Sequence, residues 1–251
     1  MKEYPIIEFD SNKLAKLNPS DLGVPKLNAN KLIITFFKEV IDDLEFSGEI
    51  EVERVITGEN PLYVYKFVQE PDILIILGQV GCPACGSNLD CLNSIGINKV
   101  MFCGGGGVLD SNINVGELLL VSGAIRDEGF SYHYIEPSRI IYTSEKVRET
   151  IRSYLNEHNI NYLEGLAWTT DAIWRETSDK IALRKSEGAK IVEMEQAGCI
   201  AVSEFRGFDY GALLYGGDDV SGETWSNRAW KSRLGIRYDL VMLCKELVKL
   251  I

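Results

Sequence analysis

Apolar and polar positions change period several times along the chain, and each change marks an element boundary. Residues 31–45 mix apolar and acidic positions at helical spacing, which predicts a surface helix. Three stretches, 49–56, 62–68 and 72–77, are rich in β-branched and aromatic residues and read as strands. The first two are joined as a hairpin through Thr57-Gly58-Glu59-Asn60-Pro61. A helix over 84–95 leads into a strand over 99–103. The run Gly104 to Gly107 then marks either a flexible turn or backbone passing close to a ligand or another strand. Beyond it the pattern predicts a strand over 118–125, a helix over 144–157, a strand over 165–170 and a helix over 179–187. Lys190 to Val192 end a short strand, 197–205 return to helical spacing, 210–215 form a strand, and a helix from about 228 to 250 closes the chain. Strands alternating with helices predict an α/β fold with a central mixed β-sheet covered by helices on both faces. No repeat, low-complexity segment or Pro/Ser/Gly-rich linker divides the chain, so 1–251 reads as a single domain with 1–45 an N-terminal extension packed on it.

Composition narrows the class of partner. With 45% hydrophobic residues the chain can bury a substantial core, and 26 basic against 37 acidic residues leave a net charge of -11. That charge argues against nucleic acid or an anionic membrane as partner and favours a small molecule. The longest apolar runs, such as Ile73 to Leu77, fall far short of a membrane span, and Met1-Lys2-Glu3 opens no signal peptide, so a cytoplasmic location is expected. Six cysteines lie mostly inside apolar elements, which suits a reducing compartment. Cys82-Pro83-Ala84-Cys85 matches a redox CxxC, but nothing thioredoxin-like precedes it, and small-residue packing is the simpler reading. With no second CxxC, and His133 and His158 the only histidines, no metal site is expected.

The chemistry concentrates in Val192-Glu193-Met194-Glu195-Gln196-Ala197 and in Leu214-Tyr215-Gly216-Gly217-Asp218-Asp219-Val220. Glu193 and Glu195 fall at a strand-to-helix junction, where chain ends commonly open onto clefts. A carboxylate buried there must find internal donors or a ligand whose hydroxyls donate to it. A sugar diol is such a ligand.

Together with Gly116-Glu117-Leu118-Leu119-Leu120-Val121, Ala124-Ile125-Arg126-Asp127-Glu128-Gly129 and Trp168-Thr169-Thr170-Asp171-Ala172, these segments resemble the nucleoside phosphorylase superfamily over roughly residues 70 to 225. This is the group of purine nucleoside phosphorylase, uridine phosphorylase and methylthioadenosine nucleosidase. The resemblance implies a pentosyltransferase that cleaves the N-glycosidic bond of a purine or pyrimidine nucleoside, with phosphate as co-substrate and no other cofactor. It implies that Glu195 holds the ribose hydroxyls, Met194 packs on the sugar and Asp218 assists the departing base, with Glu193 beside them and Asp219 the competing choice for the acid. Carboxylates near an oxocarbenium-like sugar and a proton donor at the leaving base are what such a cleavage requires. The resemblance also implies a homo-oligomer built from dimers, up to a hexamer.

At the phosphate pocket the chain departs from the family pattern. Lys99 stands where an arginine is expected, Phe102 where a hydroxyl is expected, and Gly81-Cys82-Pro83 is what remains of a glycine-rich phosphate loop, with Gln79 in place of a glycine. Lys99 and Gly81 are the candidate phosphate contacts, and Arg54, Arg126 and Arg139 the candidate replacements. Arg126 also reads as a structural partner of Asp127 or Glu128. Phe102 and Trp174 are candidate platforms for a base, Gly104 a candidate backbone contact, and His133 could reach the 5′ end of the sugar. Two other readings keep the same sugar and base residues: a nucleosidase that uses water, and a nucleoside-binding protein that no longer catalyses.

Overall fold

In the computed structural model, which describes residues 2–229 and 234–251, the sheet begins with β1 (Lys31–Thr35), where Leu32, Ile33 and Ile34 are buried between two neighbouring strands. Those neighbours are β4 (Ile73–Leu77) and β5 (Lys99–Val108), both parallel to β1. The predicted surface helix over 31–45 is therefore two elements, β1 and α1 (Lys38–Phe46). An unbroken apolar run of this length fits a buried strand as well as a helix, and burial on both sheet faces decides for the strand. The segment expected as an extension thus supplies an interior strand.

The hairpin forms as predicted: β2 (Ile50–Ile56) and β3 (Leu62–Phe67) are antiparallel, and β3 pairs with β4 at that edge. α2 (Cys82–Ser94) connects β4 to β5. After β5 come β6 (Leu118–Asp127), the short β7 (Ile140–Tyr142), α3 (Glu145–Glu157), β8 (Tyr162–Thr170), α4 (Ser178–Ser186), β9 (Ala189–Glu193), α5 (Gln196–Arg206), β10 (Asp209–Asp219) and α6 (Leu234–Leu247). Residues 230–233, which the pattern assigns to the closing helix, lie outside the described residues.

The second half of the sheet closes on itself. β5 pairs with β10, β10 with β6, β6 with β8, β8 with β9, and β9 returns to β5 at Gly107 and Val108. Both β5 and β10 run well past their predicted ends, because Gly104–Gly107 and Gly216–Asp219 continue as strand instead of turning. Gly106 shows why glycine is needed: a Cβ there would sit 2.5 Å from the Val192 carbonyl oxygen of β9. Of the two readings of the glycine run, close approach to another strand is the one realised.

α2 and α5 cover one face of the sheet through Leu89, Leu92, Cys199 and Ile200. α1, α3 and α6 cover the other through Val40, Leu44, Ile151, Leu155 and Val241. A smaller cluster under α4 holds Trp168 and Val192. The result is a single α/β domain with a mixed sheet between helical layers. Glu193, ending β9, and Asp218, near the end of β10, are carried to the place where the barrel closes.

Candidate active site

Two helix N-termini converge at this closure. Gly81 is the N-cap of α2, with a φ of 96° that favours glycine, and Glu195 is the N-cap of α5. The Gly81 amide donates to Glu195 Oε1 at 2.7 Å, and the Met194 amide donates to Oε2 at 3.3 Å. Glu193 accepts from Thr169 Oγ1 at 2.5 Å and, through Oε2, from the amides of Glu195 and Gln196 at 2.6 and 2.7 Å. Thr169 Oγ1 in turn accepts from the Ala197 amide at 3.0 Å. Both carboxylates thus sit at the positive ends of helices and are bonded by amides and one hydroxyl.

Burial works against their charge. It pushes the carboxyls of both Glu193 and Glu195 upward, and the charge of Glu195 adds to the effect on Glu193 while its hydrogen bonds oppose it. Glu195 is 6% exposed, whereas Met194 between the two carboxylates is half-buried. No Lys or Arg forms an ion pair with Glu193, Glu195 or Asp218 among the described residues.

Asp218 approaches from β10. Its Oδ2 accepts from Trp225 Nε1 at 2.6 Å, and its Oδ1 lies 3.7 Å from where a Cβ on Gly107 would be. Gly107 is the register partner of Val192, the residue before Glu193, so Asp218 lies beside the β5–β9 contact that leads into Glu193. Asp219 is turned to its own loop: Oδ1 accepts from the Ser221 amide and hydroxyl, and Oδ2 lies 4.0 Å from Arg228. Gly104 is buried inside β5 between Phe102 and Leu214, in the strand interior.

The structure separates other predicted residues from this cluster. Lys99 opens β5, about 23 Å along the strand from Gly106, and lines a surface cleft with Asn98, Gly207, Phe208 and Asp209. Gly207 caps the C-terminus of α5, the helix whose N-cap is Glu195, so Lys99 and Glu195 lie at opposite ends of one helix. Gly81, by contrast, is in direct contact with Glu195. Phe102 is 1% exposed and packs on Phe36 with ring centroids 5.3 Å apart, so it is a core side chain with no face left for a base. Trp174 stands 90% exposed in a short 3-10 turn after β8. Arg54 bonds the Pro25 carbonyl, Arg139 pairs with Glu187, and Arg126 bonds Ser131 and Ser138. His133 is exposed in a short turn after β6.

The Cys82-Pro83-Ala84-Cys85 segment forms the first turn of α2, pressed against α5. Gly198 donates its amide to Cys82 Sγ at 3.2 Å, and Cys85 Sγ lies 3.6 Å from Cys199 Sγ. Burial pushes the Cys82 thiol well up, away from the thiolate that redox chemistry uses.

A sequence profile described as the phosphorylase superfamily matches residues 31–233. The chain belongs to that superfamily. Among curated superfamily relatives, it is 23% identical over 145 residues to a guanosine phosphorylase of Halorubrum lacusprofundi, a match over 57% of this chain and 59% of that protein. The matched segment thus spans about three-fifths of that relative's length. The superfamily fold extends through solved structures. A uridine phosphorylase from Vibrio fischeri, complexed with 6-hydroxy-1-naphthoic acid, superposes with a TM-score of 0.72 at 19% identity, covering 91% of this chain and 93% of that one. A 5′-methylthioadenosine/S-adenosylhomocysteine nucleosidase from Helicobacter pylori gives a TM-score of 0.71 at 21% identity, covering 90% and 100%.

Two residues beside Asp218 escape sequence reasoning. Trp225 bonds Asp218 from a loop that no periodic pattern marks. Glu176 has a carboxyl pushed up to about 7, first by burial and then by the nearby charge of Asp218. The only sequence signal for either would have been an ionisable or aromatic residue in a loop following a sheet strand, which is too common to single one out.

Proposed function

We propose that the chain cleaves the N-glycosidic bond of a nucleoside, with the ribose against Met194 and its hydroxyls donating to Glu195. The observation that carries this is the placement of Glu195 between two helix N-termini. Its carboxylate is fixed by two amide donors, which leaves lone pairs for a diol. Glu193 fixes the start of α5 and so the position of Glu195. Asp218 lies beside the β5–β9 contact, where it can supply a proton to the base as the C1′–N bond breaks and its electron pair moves to the base nitrogen. Trp225 orients the Asp218 carboxyl through Oδ2.

For the attacking group, our reading is water and not phosphate. Lys99 lies at the far end of β5, and Arg54, Arg126 and Arg139 are engaged elsewhere. Among the described residues no lysine or arginine pairs with Glu193, Glu195 or Asp218, so a phosphate dianion beside them would meet carboxyl groups without a paired cation. A water molecule adds its oxygen to C1′ and releases one proton, giving free base and pentose, and carries no charge into the site. The test is base release from a panel of purine and pyrimidine nucleosides, with and without phosphate. Equal rates in both support hydrolysis, strict phosphate dependence restores the phosphorylase reading, and absence of release with measurable nucleoside affinity leaves a binding protein.

A further inference from the structure

Arg126 is 4% exposed, and every hydrogen bond it makes goes to an uncharged group. Nε donates to Ser131 Oγ at 2.8 Å, Nη1 to the Glu136 carbonyl and Ser138 Oγ at 2.8 Å each, and Nη2 to the Ile135 carbonyl at 3.2 Å. Its plane lies over the Tyr132 ring, 4.1 Å from the centroid. Glu128 reaches it only through Ser131, because its carboxylate accepts from the Phe130 and Ser131 amides and the Ser131 hydroxyl. A guanidinium taken out of water without a hydrogen-bonded carboxylate is an unfavourable arrangement unless a counter-ion completes it.

Arg126 lines an open pocket of about 330 Å³ whose wall also carries Tyr132, Ser138, Arg139 and Arg184. Two further arginines therefore line the same space. They share carboxylates: Glu187 serves both Arg139 and Arg184, and Asp127 serves both Arg184 and Lys180. Arg184 keeps a buried Nε without a hydrogen-bond partner. The pocket wall itself carries three arginines and no carboxylate, while the charges of Glu128 and Glu204 act on Arg126 from residues that do not line it. None of the residues of the Glu195 and Asp218 cluster lines this pocket.

We propose that the pocket is a second binding site, taking a small phosphate-bearing anion. Three guanidinium groups arriving from β6, from the segment before β7 and from α4 suit a tetrahedral oxyanion, whose several oxygens accept from separate donors. The volume is at the small end for ligand sites and accommodates a phosphate ion or a compact phosphate monoester. This site is independent of what the Glu195 cluster does.

Isothermal titration calorimetry of the full chain tests it, using inorganic phosphate and glycerol 3-phosphate at matched ionic strength, with glycerol as control. Arg139 has a side chain 60% exposed, so Arg139→Ala and Arg139→Glu should fold with unchanged circular dichroism. The expected result is saturable binding of at least one of the two phosphates and none of glycerol. Affinity should weaken at least tenfold in Arg139→Ala and vanish in Arg139→Glu. Tighter binding of glycerol 3-phosphate would assign a phosphate monoester, and tighter binding of inorganic phosphate the free ion. No saturable binding, or an affinity that survives both Arg139 variants, overturns the proposal. So does an affinity that is lost in Glu195→Gln but kept in Arg139→Ala, since the ion would then sit with the glutamates.

Discussion

Glu193 and Glu195 differ in their chemistry because their lone pairs are spent differently. Three donors, two of them the amides of the α5 N-cap and its first residue, hold Glu193, so its role is to fix the junction. Glu195 keeps acceptor capacity, and a hydrogen bond to a charged group is worth about 1.5–3 kcal/mol. Glu195→Ala should therefore weaken ribonucleoside binding about 10- to 100-fold while far-UV circular dichroism stays the same; unchanged affinity would remove Glu195 from the sugar site. Asp218→Asn should lower kcat by about 10²–10⁴ with a smaller effect on KM, the range for a lost general acid. Full turnover in that variant would pass the role to Asp219 or Glu176. Glu176 also carries a pH signature. Its carboxyl is raised from 4.5 to about 7, so its stabilising protonated state is complete below pH 4.5 and lost as pH rises through 7. Glu176→Gln should match the parent chain in denaturant midpoint near pH 4.5 and exceed it at pH 8; a difference that does not change with pH would show that burial does not burden Glu176. The acidic segment was legible in sequence because carboxylates interrupting an apolar junction need an explanation. Glu176 and Trp225 were not, because their approach to Asp218 depends on how two separate loops fold back over the sheet.

At the scale of elements, the glycine run of β5 decides whether the barrel closes. A methyl group on Gly106 would meet both the Ile191 side chain and the Val192 carbonyl, and backbone cannot yield as a flexible side-chain tip can. Gly106→Ala should cost about 1–3 kcal/mol in urea unfolding and displace Glu193 with β9. A loss of activity larger than the loss of stability is the expected signature, and a variant with native stability would mean that β9 shifts freely. Alternating strands and amphipathic helices were readable because their periods differ, as the β2–β3 hairpin and α3 show. β1 was not, because its run of Leu32, Ile33 and Ile34 carries no period and only its two parallel neighbours distinguish it from the helix that follows.

For the whole molecule, the decisive fact is which end of the sheet a side chain reaches. Lys99 stands where the family pattern has an arginine, but a match by position fixes no distance from the acidic segment. Because the strand continues to Val108 and pairs there with the end of β9, the Glu193 and Glu195 segment lies beside Gly106 and Gly107, and Lys99 is left at the opposite end beside the C-terminus of α5. Closure of β5 on β9 and β10 joins strands far apart in sequence, which no local pattern encodes. Lys99→Ala should accordingly leave kcat, KM for nucleoside and any dependence on phosphate unchanged within about twofold, since a half-buried charge lining a surface cleft more than a Debye length away is largely screened. Steady-state base release at several phosphate concentrations measures all three. A raised apparent KM for phosphate in this variant would return Lys99 to the site, and with it phosphorolysis.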